Sequence, residues 1–354
     1  MQIDHYLRAL IESDGSDLHF IAGQPPRMRI YGELQAFEGE LLSAERTKEI
    51  LTEIMSQSAH NHLEENDSAD FAYMIEGLAR FRVNIMRHLG GLGGVFRAIP
   101  STAKTLDQLK MPPVLKSLCK ETQGLLLVTG KTGSGKSTTL AAMISEINSN
   151  MKGHIVTIED PIEFIHERKR CLISQREVGL HTSSFSDALH SALREDPNVI
   201  LVGEMRDLET ISIAITAAEM GILVMGTLHT NGAGQTVDRI VNVFPTDKQA
   251  HVRTMLSTSL KGVISQQLVP RKDSKGGLVA ALEILINNSA TSNMIRQGKL
   301  DQLETAMQSG RKSGMNTMDK ALSNLFDGGI ITGRNAYEFA NDKDKFKKHR
   351  LLST

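Results

Sequence analysis

Two rhythms of apolar and polar positions divide the chain. Near the start, Ile3, Tyr6, Leu7, Leu10 and Ile11 recur at helical spacing, so residues 3–12 are expected to form a short amphipathic helix. Residues 16–21 read as a strand. The Gly23-Gln24-Pro25-Pro26 turn follows, and residues 27–31, ending at Tyr31, alternate as a second strand. Ser43 is placed to cap a helix over 43–56, with Arg46 where a capping box has Glu. Strands are expected over 70–75, 80–86 and 93–99, punctuated by Gly77 and by Gly90-Gly91. Helices and hairpins without β–α alternation predict a small α+β domain over residues 1–100. Pro100, Pro112 and Pro113 flank a connection over 101–113.

From Gly124 the rhythm changes. Continuous apolar runs at 125–129, 154–158, 199–202 and 223–227 alternate with helical patterns near 136–149, 186–194, 207–220 and 233–243. Strands without a polar face are buried on both sides. Their alternation with helices predicts an α/β domain over 114–354, with a parallel sheet whose functional edge lies at the C-terminal strand ends. Beyond residue 246 the pattern is mainly helical, over 247–268, 290–297, 301–308 and 316–327, with 277–286 as a strand or hairpin. The highly charged tail at 342–350 is expected to fray in solvent.

The chemistry sits at those strand ends. After 125–129 comes Gly130-Lys131-Thr132-Gly133-Ser134-Gly135-Lys136-Ser137-Thr138, leading into a helix. Strand, glycine loop and helix make the context in which this spacing cradles a polyphosphate. The glycines bend the backbone so that its N–H groups and the helix N-terminus face phosphate oxygens. Lys136 reaches the β- and γ-phosphates, and Ser137 holds Mg²⁺. Residues 132–138 are the expected nucleotide-binding set.

Three further strand ends carry polar groups. Val199-Ile200-Leu201-Val202-Gly203-Glu204 puts Glu204 at a central strand mouth, where it can polarise a water and bind Mg²⁺ through water. Asp207, just beyond, either caps the next helix or joins the site. Glu159-Asp160-Pro161-Ile162-Glu163 brings three carboxylates within five residues, a costly grouping unless a cation neutralises it. Glu163 and Glu159 can place water, nucleotide or Mg²⁺, or simply open a helix. His229, in Thr227-Leu228-His229-Thr230-Asn231, is either structural or a sensor of the γ-phosphate.

Composition narrows the classes. Lys plus Arg total 40 and Asp plus Glu 41, a net charge of −1, and Trp is absent. Neither a basic surface nor a stacking platform for nucleic acid is advertised, so no direct nucleic-acid partner is expected. Cys119 and Cys171 are the two cysteines, expected as free buried thiols. Neither a signal peptide nor an 18-residue apolar span appears, which predicts a cytoplasmic protein meeting membrane only through partners.

The four motifs in this order resemble the Walker A, Asp box, Walker B and His box of the secretion-type ATPase superfamily. Within it the chain is similar to the type IV pilus retraction ATPases, the PilT class. The likeness extends to Gly15-Ser16-Asp17-Leu18-His19, Arg80-Phe81-Arg82-Val83-Asn84, Val95-Phe96-Arg97, Gln175-Arg176-Glu177-Val178-Gly179 and Gly314-Met315-Asn316-Thr317-Met318-Asp319. It implies a RecA-like P-loop ATPase core with a smaller PAS-like N-terminal domain, in a homohexamer. The implied activity is hydrolysis of ATP with Mg²⁺ to drive pilus retraction, by action on an inner-membrane pilus platform protein at the base of the machine. It also implies that Glu204 works as base or water-positioner with Glu163, that His229 senses the γ-phosphate, and that Arg82 and Arg97 approach the phosphates. Cross-strand salt bridges are the other reading of those two arginines. Arg194 and Arg239 are further candidates for approaching the phosphates, or make ion pairs at a subunit interface.

Lys131 stands where the family has Pro or Ala. The retraction motif reads Ala290-Thr291-Ser292-Asn293-Met294-Ile295-Arg296-Gln297 here, with one arginine and the terminal glutamate lost. An accessory, PilU-like paralogue therefore stays open beside the primary motor. So do an ATP-dependent nucleic-acid motor and a non-hydrolysing nucleotide-gated scaffold.

Overall fold

A chain that turns from hairpins to β–α repeats builds two separate sheets. The computed structural model describes all residues except 31–32, 38–40, 100–102, 273–276 and 351–354. Tyr31 of the expected second strand and residues 100–102 of the expected connection lie outside the described residues. Two compact units emerge, Met1–Thr102 with Glu163–Ile165, and Ala103–Ile162 with His166–Thr354.

The first unit runs α1 (Asp4–Glu12), β1 (Asp17–Ile21), β2 (Arg27–Ile30), β3 (Glu33–Ala36), α2 (Ala44–Glu53), α3 (Gln57–Asn66), β4 (Ser68–Ile75), β5 (Ala79–His88) and β6 (Gly91–Ile99). Its strands form one antiparallel sheet in the order β3-β2-β1-β6-β5-β4. Phe81, Val83 and Ile85 are fully buried while Arg82 between them is exposed, the period-two pattern of a sheet with one face on a core. Leu7 and Leu10 of α1, Leu51 of α2 and Leu63 of α3 share that core. Ser43 accepts the Arg46 N–H at 3.1 Å, so the expected cap forms without a capping box. Helix α3 was not visible in the pattern because it buries only Ala59 and Leu63. Strand β3 was not visible because all four of its residues are exposed.

The second unit runs α4 (Val114–Leu118), β7 (Gly124–Thr129), α5 (Lys136–Asn150), β8 (His154–Glu159), β9 (Leu172–Glu177), α6 (Phe185–Ala192), β10 (Val199–Val202), α7 (Leu208–Glu219), β11 (Leu223–Leu228), α8 (Ala233–Asn242), α9 (Thr246–Ser259), β12 (Leu260–Pro270), β13 (Leu278–Ile286), α10 (Ser289–Gln297), α11 (Leu303–Ser309), α12 (Met318–Asp327), α13 (Gly333–Phe339) and α14 (Lys347–Arg350). The sheet order is β13-β12-β7-β11-β10-β8-β9, parallel from β12 to β9 and antiparallel at β13. Successive residues of β7 enter opposite cores: Leu125 and Leu127 join Ile211, Val237 and Leu256, while Leu126 and Val128 join Leu140, Met143 and Ile144 of α5. Each such buried aliphatic side chain stabilises the fold by roughly 1.5–3 kcal/mol. This two-sided burial is what makes the strands read as unbroken apolar runs.

Three expectations change. Residues 247–268 are not one helix: α9 ends at Ser259 and β12 begins at Leu260 without a turn, because Leu260 takes extended angles, φ −64° and ψ 130°. The apolar residues Val263, Ile264, Leu268 and Val269 suit either element, and the flanking strands decide the matter. Strand β9 escaped notice as an edge strand with a single buried residue, Glu177. The tail does not fray from 342 onward. Phe346 is buried with Leu322 and Ile331, and Lys345 pairs with Asp319 at 3.1 Å. Charge counting overlooked that one anchoring aromatic. Both cysteines are free and buried, and burial raises the Cys119 thiol to about 12. No helix among the described residues is long and apolar enough to cross a membrane.

Candidate active site

The loop after β7 is shaped by close backbone approach. Gly130 adopts φ +143°, and a Cβ there would lie 2.3 Å from the Gln266 carbonyl oxygen, so only glycine fits. Gly135, at φ 84°, turns the chain into α5. Lys136 opens that helix and is buried. Its ammonium donates to the Gly130 carbonyl at 2.9 Å and the Lys131 carbonyl at 3.1 Å. A buried ammonium beside a helix N-terminus makes a site of positive potential. Ser134 Oγ is buried without a hydrogen-bond partner among the described residues. An orphaned hydroxyl within a glycine loop fits an incoming acceptor oxygen. Gly133, Thr132 and Lys131 are exposed, and Ser137 and Thr138 are half-buried on the first turn of α5.

Two neighbouring strand ends complete the arrangement. Glu204 follows β10 and His229 follows β11, and β10, β11 and β7 are adjacent. His229 Nε2 lies 3.0 Å from Glu204 Oε1, and His229 Nδ1 lies 3.5 Å from Lys136 Nζ. That geometry suits a neutral ring carrying its proton on Nε2, so it donates to the carboxylate and accepts from the ammonium. Arg206 grips both oxygens of Glu204, Nη2 donating to Oε2 at 2.6 Å and Nε to Oε1 at 2.5 Å. Burial acts to raise the Glu204 pKa. The Arg206 hydrogen bond and charge, with the hydrogen bond from His229, outweigh it and hold the carboxyl below its ordinary value. Ser137 and Glu204 are hard oxygen donors, the kind that Mg²⁺ takes together with substrate phosphates. Among the described residues, no three His, Cys, Asp or Glu side chains gather as a resident metal site.

The other expected residues make contacts of their own. Glu159, at the end of β8, is buried and accepts from Thr157 Oγ1 at 2.7 Å and Gln175 Nε2 at 3.3 Å. Asp160 and Glu163 are exposed, which removes the like-charge cost of the acidic run. Glu163 belongs to the short segment grouped with the first unit. Asp207 resolves as a helix cap, accepting from the Thr210 N–H at 2.8 Å. In the first unit, Arg82 and Arg97 lie directly opposite each other on β5 and β6, both exposed. Arg97 makes a cross-strand ion pair with Asp17 of β1 at 2.8 Å. Arg194 and Arg239 are exposed.

One residue has no counterpart among the sequence candidates. Gln266 of β12 donates to the Ser134 carbonyl at 2.6 Å and accepts from Thr139 Oγ1 at 2.7 Å. It clamps the loop to the helix behind it. Its signal, a polar residue in an apolar strand, was hidden once 247–268 read as helix.

Comparisons with known proteins show the family. The family described as Type II/IV secretion system protein matches residues 2–326. The type IV pilus retractation ATPase PilT of Pseudomonas aeruginosa is 48% identical over 346 residues, covering 98% of this chain and 100% of that protein. The type IV pilus ATPase PilU of the same organism is 40% identical over 347 residues, covering 98% of this chain and 91% of that protein. A crystal structure of the pilus retraction motor PilT with bound ADP superposes with a TM-score of 0.91 at 43% identity, covering 97% of this chain and 98% of that one.

Proposed function

The chain belongs to the type II/IV secretion system protein family, and from that membership we propose that it is an ATP-hydrolysing motor that powers type IV pilus retraction. The observation that carries the reading is the line of contacts Lys136–His229–Glu204 across three adjacent strand ends. It sits in a chain similar over its whole length to a retraction ATPase.

ATP is the substrate. The loop N–H groups of residues 132–138 and the Lys136 ammonium take its phosphates, the ammonium exchanging carbonyl partners for charged oxygens. Mg²⁺ would be held by Ser137 and through water by Glu204 and Glu163, and would supply neutralisation of the phosphate charge. Glu204 stays ionised at neutral pH, so it accepts a hydrogen bond from the attacking water and orients it. A carboxylate with a lowered pKa is a weak proton acceptor, so orientation outweighs proton abstraction. His229 touches both Lys136 and Glu204, a position from which it senses the γ-phosphate. Glu159 supports the same strand edge.

Arg82 and Arg97 supply guanidinium charge to the phosphates. The support for this is that both side chains are exposed on adjacent strands, and Arg97 would exchange its Asp17 partner for a phosphate oxygen. From the change of sequence rhythm and the prolines around it, the N-terminal domain is taken as 1–100, the connection as 101–113 and the ATPase domain as 114–354. Six copies form the working ring, in the cytoplasm against the inner membrane, acting on the pilus platform protein. These assignments rest on the family likeness.

One observation favours an accessory, PilU-like role. Where the retraction motif has an arginine, Ser292 instead bonds the Ser257 carbonyl at 2.6 Å, and Thr291 is spent in the cap of α10. Deletion of this gene alone separates the two. Excess pili with lost twitching motility is the expected outcome, and normal motility would assign the accessory role.

A further inference from the structure

Glu283 is a buried carboxylate that the chemistry above leaves unused. It lies on β13, 5% exposed. One oxygen accepts the Ala233 N–H at 2.8 Å and the other the Met318 N–H at 3.3 Å. Ala233 opens α8 and Met318 opens α12, so one side chain caps two helices. The N-cap of α8 is Gly232, which offers no side chain of its own. Gly232 takes φ +109°, and a Cβ there would lie 3.3 Å from Glu283 Oε1, so the turn closes tightly on the carboxylate.

The Gly232 N–H goes to Ser265 Oγ at 2.8 Å. Ser265 and Glu283 are direct partners across the β12–β13 ladder. Together they pin the turn 229–233, whose first residue is His229. On the far side, the motif at 314–319 continues the chain of contacts. Asn316 exchanges both backbone hydrogen bonds with Ile284, beside Glu283, at 2.8 and 3.0 Å. Asp319 accepts from the Asn341 N–H at 2.8 Å and from Lys345 at 3.1 Å. Burial raises the Glu283 pKa, and the two helix N–H groups act against it.

We propose that Glu283 is a positioning residue for ATP turnover, holding the 229–233 turn so that His229 meets Glu204 and tying that turn to the first turn of α12. The inference rests on the reading of His229 given above. In the full-length protein, Glu283→Gln keeps the shape. Its amide nitrogen cannot accept, so one helix N–H loses its partner. The expected result is a kcat about tenfold lower with the KM for ATP held, since binding groups stay in place while orientation is lost.

A double-mutant cycle with His229→Ala separates positioning from bulk stability. If Glu283 acts through His229, Glu283→Gln adds little to the loss already present in His229→Ala. Losses that multiply overturn the inference and leave the site reading standing. Undiminished kcat in His229→Ala alone removes that reading and this inference with it. Hydrogen exchange gives a readout apart from activity. A non-hydrolysable ATP analogue, which carries the γ-phosphate, changes amide protection over 318–321 in the wild-type protein and fails to do so in Glu283→Gln, and an absence of change in the wild type overturns the link to α12. Should Glu283→Gln not fold, Ser265→Ala removes the other anchor of the same turn and is expected to give the same non-additive pattern.

Discussion

Glu204 is held between a guanidinium and an imidazole, and that grip sets its pH behaviour. Its folded pKa is depressed, so what the ionised form contributes is fully present above the ordinary value of 4.5 and is lost as pH falls through the lower folded value. The acid limb of kcat/KM assigned to this group therefore lies below 4.5. Glu204→Gln keeps the size and loses the charge. ATP binding is expected to persist while phosphate release falls by about 10²–10⁴-fold. Turnover near the wild-type rate would take Glu204 out of the chemistry. Lys136, Glu204 and His229 were legible as residues, because each follows a short apolar strand at a spacing that chemistry requires. The role of Arg206 was not, since the pairing of two side chains two positions apart depends on the turn geometry after β10.

At the scale of elements, the phosphate loop does not stand alone. Gln266 of β12 satisfies a carbonyl of the loop and a hydroxyl on the first turn of α5, both buried. Gln266→Ala leaves those groups without their partner, at a cost of about 1–3 kcal/mol. The loop is then less well formed, and ATP affinity is expected to fall by roughly tenfold or more, measured by titration of Mg·ATP into a Glu204→Gln background. Unchanged affinity would show the loop to be self-supporting. The sequence reading missed this element because α9 passes into β12 with no glycine or proline between them. Periodicity cannot separate adjoining apolar segments that share a boundary. Where turns intervene, as around β4, β5 and β6, the elements were legible to within a few residues.

For the whole molecule, a ligand that binds only the folded state stabilises it by mass action. With Mg·ATP at about 100 times Kd, the Glu204→Gln protein should gain about 2.7 kcal/mol, seen as a higher melting temperature. The gain should vanish when Lys136 is also changed to Ala. A shift that survives the loss of Lys136 would place the nucleotide elsewhere. The likeness to retraction ATPases spans both units, which is why motifs scattered from Gly15 to Asp319 all fell within one family pattern.

What the sequence determined by itself is local: strand, loop and helix around residues 125–149, the acid and histidine that follow their strands, and the alternation of β and α that makes a parallel sheet. These follow from the conformational freedom of glycine and from apolar spacing over a few neighbours. Only the tertiary structure decided that Gln266 clamps a loop 132 positions away, that Glu283 joins two helix starts, and that Phe346 anchors the tail. Those contacts depend on how strands order in a sheet and helices pack on it. Desolvation and hydrogen-bond geometry then select partners that no short stretch of chain contains.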